Sequence, residues 1–534
     1  MPSASTRPVL RLRPRSRGAK AFLLAFLGFF LLGSAWSLAM PYDGTADEFR
    51  HVVRAYGVLD GQIAARADAQ ITVPKSLVPD GIADQDPQDC MRWKLNVTAA
   101  CVASPAPGDE HRMVVTTSGA ANYNPIYYAV TGWPLKLFPT YHGVIAARLL
   151  TCLLTSVLLG GAVGVAARLA RGRGPLVLGA VLLAVTPVAV NLTGAVNPAG
   201  PEIAAAVALW SSLIAILLAR DDSQWTLALF GGSAATLAVL RELGIGWLVG
   251  ALAVVAFGAG KDRLLELARR RSVLLWSGVV VIAVVVGASW ILLSTQGGIP
   301  KSGQASAAGI PQGSKLWIKE LTHRVPMYTN GLVGLTSFGD VAVPLPLVLA
   351  WFAAVGALLA TAARRAGGRV LLQLAAIVGA GYLFLVAADL QAAATGWWFS
   401  QGRYALPVLV GAPILAGFAL ADRGLVSVPR QATLTRWAAW ILIPAQGVAL
   451  WITMIRFQHA FHGLHPNLVF LFDQTSSVNP FSGKWTPPGS GVPAVLLATA
   501  GVVALLTLVL RATRSGPISD IETVTIRERY IRIS

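Results

Sequence analysis

The sequence predicts an all-α polytopic membrane protein with about twelve transmembrane helices. Three observations carry that reading. Of 534 residues, 55% are hydrophobic and only 13% charged, against roughly a quarter charged in an ordinary soluble protein. Mean hydropathy is +0.61. The apolar residues collect in runs at 21–40, 143–167, 175–195, 199–219, 225–240, 243–260, 273–293, 341–362, 369–388, 404–421, 436–455 and 492–510. A helix of about 20 residues crosses a hydrocarbon core of about 30 Å, which makes 225–240 and 243–260 the marginal ones.

The formal charge of +18 fits this topology better than a nucleic-acid partner. With the N-terminus inside, the excess falls on the inner segments, including Lys261 and Arg269-Arg270-Arg271, while the outer segments balance. That is the positive-inside pattern, helped by anionic lipid headgroups. Both termini are then cytoplasmic. The domains are a basic tail at 1–20, a transmembrane domain at 21–510 whose first extracytoplasmic loop is 41–142, and a C-terminal tail at 511–534.

In chain order, the tail carries Arg7, Arg11, Arg13, Arg15, Arg17 and Lys20, which hold it near the lipid surface. The first span is too long, and too poor in a small-residue cleavage site, to be a removable signal, so it reads as a retained anchor. Next comes Thr45-Ala46-Asp47-Glu48-Phe49-Arg50-His51-Val52-Val53-Arg54. Read as a helix, it places Asp47, His51 and Arg54 on one face, where they would bind a phosphate and move a proton. Thr45-x-x-Glu48 also reads as a capping box, with Thr45 as N-cap and Glu48 at N3. Asp47 is the freer carboxylate on that reading.

Further along the loop, Cys90 and Cys101 are a disulfide candidate in an oxidising space, or else a reduced pair. With one nearby histidine, His111, they make a poor metal site. The loop ends in Asn122-Tyr123-Asn124-Pro125-Ile126-Tyr127-Tyr128 and Trp133-Pro134-Leu135-Lys136. Its aromatics fit a helix lying in the membrane interface, which explains Asn122 and Asn124 less well. Arg148, one turn inside the second span, either snorkels or faces a polar cavity. Asn197-Pro198-Ala199-Gly200-Pro201-Glu202 and the Arg241-Glu242 hairpin tip read as ordinary turns on the Asp47 side.

Residues 315–321 read as a second interface helix. Asp389 then leads to Trp397-Trp398 and to Gly402-Arg403-Tyr404-Ala405-Leu406-Pro407. Arg403 there adds charge at a helix N-terminus that already favours anions. His459, His462 and His465 have no close carboxylate, so no metal site is assigned to them. The spans lack the strings of internal acids and the broken helix pairs of coupled ion transporters. The short inner loops carry no nucleotide-binding motif, so any chemistry belongs to the outer face.

Four motifs then resemble, in order, a large bacterial family of multi-span membrane proteins of unknown function, the DUF2142 type. They are Asp47-Glu48-x-x-His51-x-x-Arg54, Asn124-Pro125-x-Tyr127-Tyr128, Asn197-Pro198-x-Gly200 and Gly402-Arg403-Tyr404-x-Leu406-Pro407. This chain has Phe49 where the family usually has Pro, and Ala199 where it has Asp, which weighs against a catalytic third motif. The family resembles the GT-C glycosyltransferases. That resemblance implies a GT-C-like fold in the bacterial cytoplasmic membrane, with a long first loop carrying interfacial helices.

It further implies an inverting glycosyltransferase that draws a sugar from a polyprenyl-phosphate carrier and gives it to an envelope glycan, lipid or protein. Asp47 would be the base, with Glu48 its partner or the helix cap. His51, Arg54, Asn124, Tyr127, Tyr128, Arg148, Asn197, Arg403 and Tyr404 would bind substrate, while Tyr127, Tyr128, Trp397 and Trp398 would stack on sugar or guide the lipid. Asp43, Asp47 and Glu48 leave open a divalent cation, Mg²⁺ or Mn²⁺; no cofactor is otherwise implied. A transporter or flippase of lipid-linked glycans and a non-catalytic envelope-assembly scaffold are the competing readings.

Overall fold

A computed structural model of the chain describes residues 16–63, 75–83, 90–102, 108–295, 313–393, 398–461, 475 and 477–514. Arg7, Arg11, Arg13, Arg15, Trp397, His462, His465 and the tail beyond 514 lie outside the described residues. The chain is a multi-pass membrane protein. Among the described residues nine helices are long and apolar enough to cross a bilayer, or up to eleven if each of two bent helix pairs is one span.

The first apolar run forms α1 (Ser16–Ala39), and the segment beyond it opens with α2 (Glu48–Leu59). A hairpin of β1 (Lys75–Pro79) and β2 (Met113–Thr117) follows, paired antiparallel with Lys75 opposite Thr117. Two short helices, α3 (Pro125–Thr131) and α4 (Trp133–Leu137), lead into α5 (Tyr141–Arg173). Trp133, Leu137 and Phe138 are exposed, as interface anchors would be, whereas Tyr127 and Tyr128 are buried.

The run at 175–195 is broken into α6 (Leu176–Leu183) and α7 (Pro187–Thr193), bent by 65°. Pro187 cannot continue a helix, and Thr186 caps the new one by accepting from Ala189 N. Next come α8 (Ala199–Leu213), prolonged by a π turn at Ile214–Leu218, and α9 (Gln224–Leu240). At 17 residues α9 is about 26 Å long, short of a full crossing, and the described residues do not confirm the count of twelve. A 114° corner at Gly260, whose φ is +82°, separates α10 (Gly244–Ala259) from α11 (Lys261–Ala268).

After α12 (Arg271–Thr295) the chain forms α13 (Ser314–Lys319), a π turn, and α14 (Val325–Gly331). Exposed Trp317, Ile318 and Leu321 suit the expected interface helix. A two-residue hairpin, β3 (Leu335–Thr336) with β4 (Val341–Ala342), precedes α15 (Leu345–Arg365) and α16 (Gly368–Ala393). A single turn of 3₁₀ helix at Gly402–Ala405 opens α17 (Leu406–Leu409) and α18 (Gly411–Asp422). Finally come α19 (Val428–His459) and α20 (Val492–Arg514). The hairpins are small exceptions to an otherwise helical fold.

The core is organised by small residues, which let helices approach where hydrocarbon offers no hydrophobic drive. α1 lies along α5 and α20, and α8 between α5 and α9. At the α1–α20 crossing, a Cβ on Gly501 would lie 2.8 Å from Gly28 O. The Ala-rich α8 is almost wholly enclosed, while α12 and α15 are largely exposed at the bundle's periphery. α8 is therefore the central helix of the bundle by burial.

Candidate active site

Beyond α1 the chain makes two tight turns in which Asp43 and Asp47 both hold left-handed backbone, at φ 53° and 62°. Short polar side chains tolerate that region best. Asp47 is thus the N-cap residue of α2 but makes no side-chain cap bond. The capping-box expectation fails. Thr45 is not the cap: its carbonyl accepts from Glu48 N at 3.1 Å, and its buried hydroxyl has no partner. Asp43 does the capping instead, accepting from Phe49 N at 3.0 Å.

Glu48 points into the bundle, against the expectation that it would assist Asp47. It takes a two-pronged ion pair from Arg148, at 2.7 and 2.5 Å, and accepts from Val196 N at 3.1 Å. Arg148 also donates to Ser37 O, Met40 O and Pro41 O at 2.7–2.9 Å, satisfying carbonyls at and just beyond the end of α1. Both side chains are 0% exposed. Arg148 neither snorkels nor offers itself to a phosphate. It locks α1, α2 and α5 together.

His51 and Arg54 do share the face predicted for them, but that face is turned inward. His51 Nδ1 is 2.8 Å from Tyr128 Oη, and its ring meets Tyr123 edge-on. Burial pushes the His51 imidazole down to about 3, so it is neutral at pH 7. Arg54 donates to Gln62 O, Ile63 O and Tyr123 O at 2.8–3.1 Å and stacks on Trp290. Its charge is spent on backbone carbonyls.

The second and third motifs are likewise clasps. Asn124 caps α3, accepting from Ile126 N at 3.1 Å with Pro125 in the first turn. Tyr127 Oη lies 2.8 Å from Thr151, so Tyr127 and Tyr128 dock α3 on α5 and α2 and cannot stack on a sugar. Asn197 Nδ2 donates to Ala46 O at 2.8 Å and its Oδ1 accepts from Ala199 N at 2.9 Å, which pins the turn before Asp47 to α8. Ser337 grips that turn from the other side through Gly44 O and Ala46 N. No sequence motif marks Ser337.

What remains open is Asp47, with 41% of its side chain exposed. Arg403 Nη2 donates to Asp47 Oδ2 at 3.2 Å, and Arg50 lies 3.8 Å from Oδ1. Burial by the surrounding protein pulls the Asp47 carboxyl up. Arg403, Arg50, His51 and Arg241 outweigh that pull and hold it below the usual carboxylate range. Arg403 is placed by a close approach: a Cβ on Gly402 would lie 2.1 Å from Tyr328 O. Arg403 and Arg241 both lie against the Tyr404 ring, 5.2 and 5.5 Å from its centroid. Arg241 is paired with buried Glu202 at 2.9 Å.

Asp47, Arg403 and Tyr404 are therefore brought together, while the other predicted residues support them from behind. Arg50, Arg241, Glu202 and Tyr123 complete the cluster. The sequence signals for them were faint: Arg50 stands one turn after Asp47, and Arg241 and Glu202 are turn residues on the same side. Trp398 is packed beneath Lys319 and Arg324 rather than left free for a sugar.

A shared divalent cation does not fit Asp43, Asp47 and Glu48. Arg92 holds Asp43, at 2.9 Å from Nε, and Arg148 holds Glu48, so Asp47 alone faces the cluster. Among the described residues no group of three or more His, Cys, Asp or Glu is set for a metal. Cys90 and Cys101 are bridged. The bridged loop turns the carbonyls of Met91, Lys94 and Val97 onto buried Arg456 of α19, at 2.5–3.1 Å.

Compared with known proteins, residues 30–412 match the family described as "Predicted membrane protein (DUF2142)". No curated protein matches. Among solved structures, ArnT from Cupriavidus metallidurans bound to undecaprenyl phosphate is similar at 13% identity, over 93% of this chain and 78% of that one, with a TM-score of 0.39. The arabinosyltransferase EmbB from Mycobacterium smegmatis is similar at 14% identity over 95% and 42%, with a TM-score of 0.34. The Archaeoglobus fulgidus oligosaccharyltransferase is similar at 11% identity over 81% and 56%, with a TM-score of 0.32.

Proposed function

The chain belongs to the DUF2142 family of predicted membrane proteins, and we propose that it is a glycosyltransferase of the GT-C type. It moves a sugar from a polyprenyl-phosphate carrier to a hydroxyl of an envelope glycan, lipid or protein at the outer membrane face. The observation that carries this reading is Asp47, a part-open carboxylate with Arg403 at 3.2 Å and Arg50 at 3.8 Å.

Transfer needs a base for the acceptor and positive charge for the departing phosphate. Arg403 and Arg241, both against the Tyr404 ring, supply guanidiniums that phosphate oxygens would engage. A donor phosphate competes with Asp47 for Arg403, and its arrival frees the carboxylate and strengthens it as a base. The acceptor oxygen then bonds to the anomeric carbon as the bond from that carbon to the phosphate oxygen breaks. The hydroxyl proton passes to Asp47, and polyprenyl phosphate leaves with the bonding electrons, its charge met by the arginines. One displacement opposite the leaving group inverts the anomeric centre.

The test is a glycan and glycolipid profile of a strain lacking the gene, complemented at equal protein levels with wild type, Asp47→Asn or Arg403→Ala. The expected result is a missing sugar and an accumulated acceptor that only wild type corrects. Full complementation by Asp47→Asn would overturn the reading in favour of a flippase or a scaffold.

A further inference from the structure

A second cluster of arginines lies at the other end of α8. That helix starts at Ala199, beside the Asn197 clasp, and with its π turn runs 20 residues to Leu218, about 30 Å away. There a cavity of about 200 Å³ is lined by Arg220, Arg263, Arg369 and Arg423, with Asp422 as the acidic residue in its wall. Leu218, Val370 and Phe418 are among its apolar lining residues.

The charges do not cancel. Asp422 is taken by Arg173, and Glu266 and Asp222 are shared among Arg220, Arg263 and Arg270. No carboxylate is paired with Arg369 or Arg423 among the described residues: Arg423 donates to Ala366 O and Arg369 lies over the Phe257 ring. Arg263, 3% exposed, is held rigidly by Ile216 O at 2.8 Å and by Glu266 at 2.8 Å. Arg369 stands in the first turn of α16, where backbone N–H groups without helical acceptors favour an anion. Arg220 holds left-handed backbone at φ 58°, a conformation that costs energy for a residue of this kind.

We propose that this cavity, remote from Asp47, binds a phosphate group through Arg369, Arg423 and Arg220. Planar guanidiniums around a small concave site suit phosphate oxygens better than a point charge would. The apolar side chains of Leu218, Val370 and Phe418 in the same lining would meet the start of an acyl chain, as in basic pockets between membrane helices that hold anionic headgroups. The ligand class is therefore a phosphate mono- or diester, carried by an anionic phospholipid or free in solution.

The test uses the full chain in detergent with two probes. Lipid retention is read by native mass spectrometry after exposure to vesicles of phosphatidylglycerol or of phosphatidylcholine, and inorganic phosphate binding by calorimetry. The variants are Arg369→Gln/Arg423→Gln, Arg220→Gln, and Arg364→Gln as an exposed control outside the cavity. Retention of phosphatidylglycerol at least tenfold over phosphatidylcholine, lost in the double variant and reduced in Arg220→Gln, supports a lipid source. Phosphate binding alone, lost in the same variants, supports a soluble one. Arg220→Gln keeps the test valid should the double variant fold poorly. The proposal is overturned if wild type binds neither probe, if the cavity variants bind as wild type does, or if Arg364→Gln loses as much.

Discussion

Arg403 and Asp47, 356 residues apart in sequence, meet at 3.2 Å. The contact joins the turn after α1 to the turn before α17, the first and last of the four motifs. Replacing Arg403 with Ala removes the nearest of the cations that hold Asp47 below about 3.9, the ordinary aspartate value. An ionised Asp47 is present above its own pKa and lost as pH falls through it. The acid limb of kcat/KM should therefore move to higher pH in Arg403→Ala, and the rate should fall by about 10²–10³-fold. A pH profile of transfer with the identified donor and acceptor checks both. A lowered rate with an unmoved limb would leave Arg403 a phosphate contact only.

Asp47 and Glu48 are adjacent, yet their substitutions should fail in opposite ways. Asp47→Asn should cost about 10²–10⁴-fold in transfer, the usual contribution of a general base, with thermal unfolding close to wild type because its side chain is part-open. Glu48→Gln leaves the Arg148 charge buried without its counter-charge, which costs about 3–5 kcal/mol. Unfolding midpoints in detergent, measured beside transfer rates, separate the two effects.

His51 supplies a pH signature of its own. Its folded pKa is depressed to about 3 from an unpaired value of 6.5, so it favours folding while neutral. That contribution is present above pH 6.5 and is lost as pH falls toward 3, at about 1.4 kcal/mol per unit. His51→Gln cannot take the proton and can still bond Tyr128. It should flatten the fall of stability across that window by close to one proton, a slope readable from denaturation at several pH values. An unchanged slope would mean that His51 is already charged in the folded state.

The spans and the order of the motifs were legible because apolar runs and turn residues are local signals. The break at Thr186–Pro187 was not read, since the run at 175–195 stays apolar through it. What each motif residue does was hidden for a different reason. Arg148, Arg54 and Arg403 are the same side chain in similar settings, and only the packing assigns the first to Glu48, the second to carbonyls and the third to Asp47. The site partners Arg241 and Glu202 come from two separate turns, and nothing in either turn announces that they pair.

The bridge between Cys90 and Cys101 reaches the site through Arg92, which the bridged loop carries to Asp43, the residue that caps α2 next to Asp47. Cutting the bridge with Cys90→Ser/Cys101→Ser should cost about 2–3 kcal/mol, the range expected for a short closed loop. It should also slow transfer by loosening the Asp47 turn. Arg92→Met separates these effects, because it keeps the bridge and an apolar side chain against Phe49 and Phe338 while removing the guanidinium that holds Asp43. Transfer should then fall about as far as in the double serine variant, while the unfolding midpoint falls less. If Arg92→Met transfers at the wild-type rate and the serine variant does not, the bridge acts through the Arg456 anchor on α19 instead. The two routes part at Asp43, so Asp43→Asn, which keeps an acceptor for Phe49 N and weakens the hold of Arg92, should follow Arg92→Met.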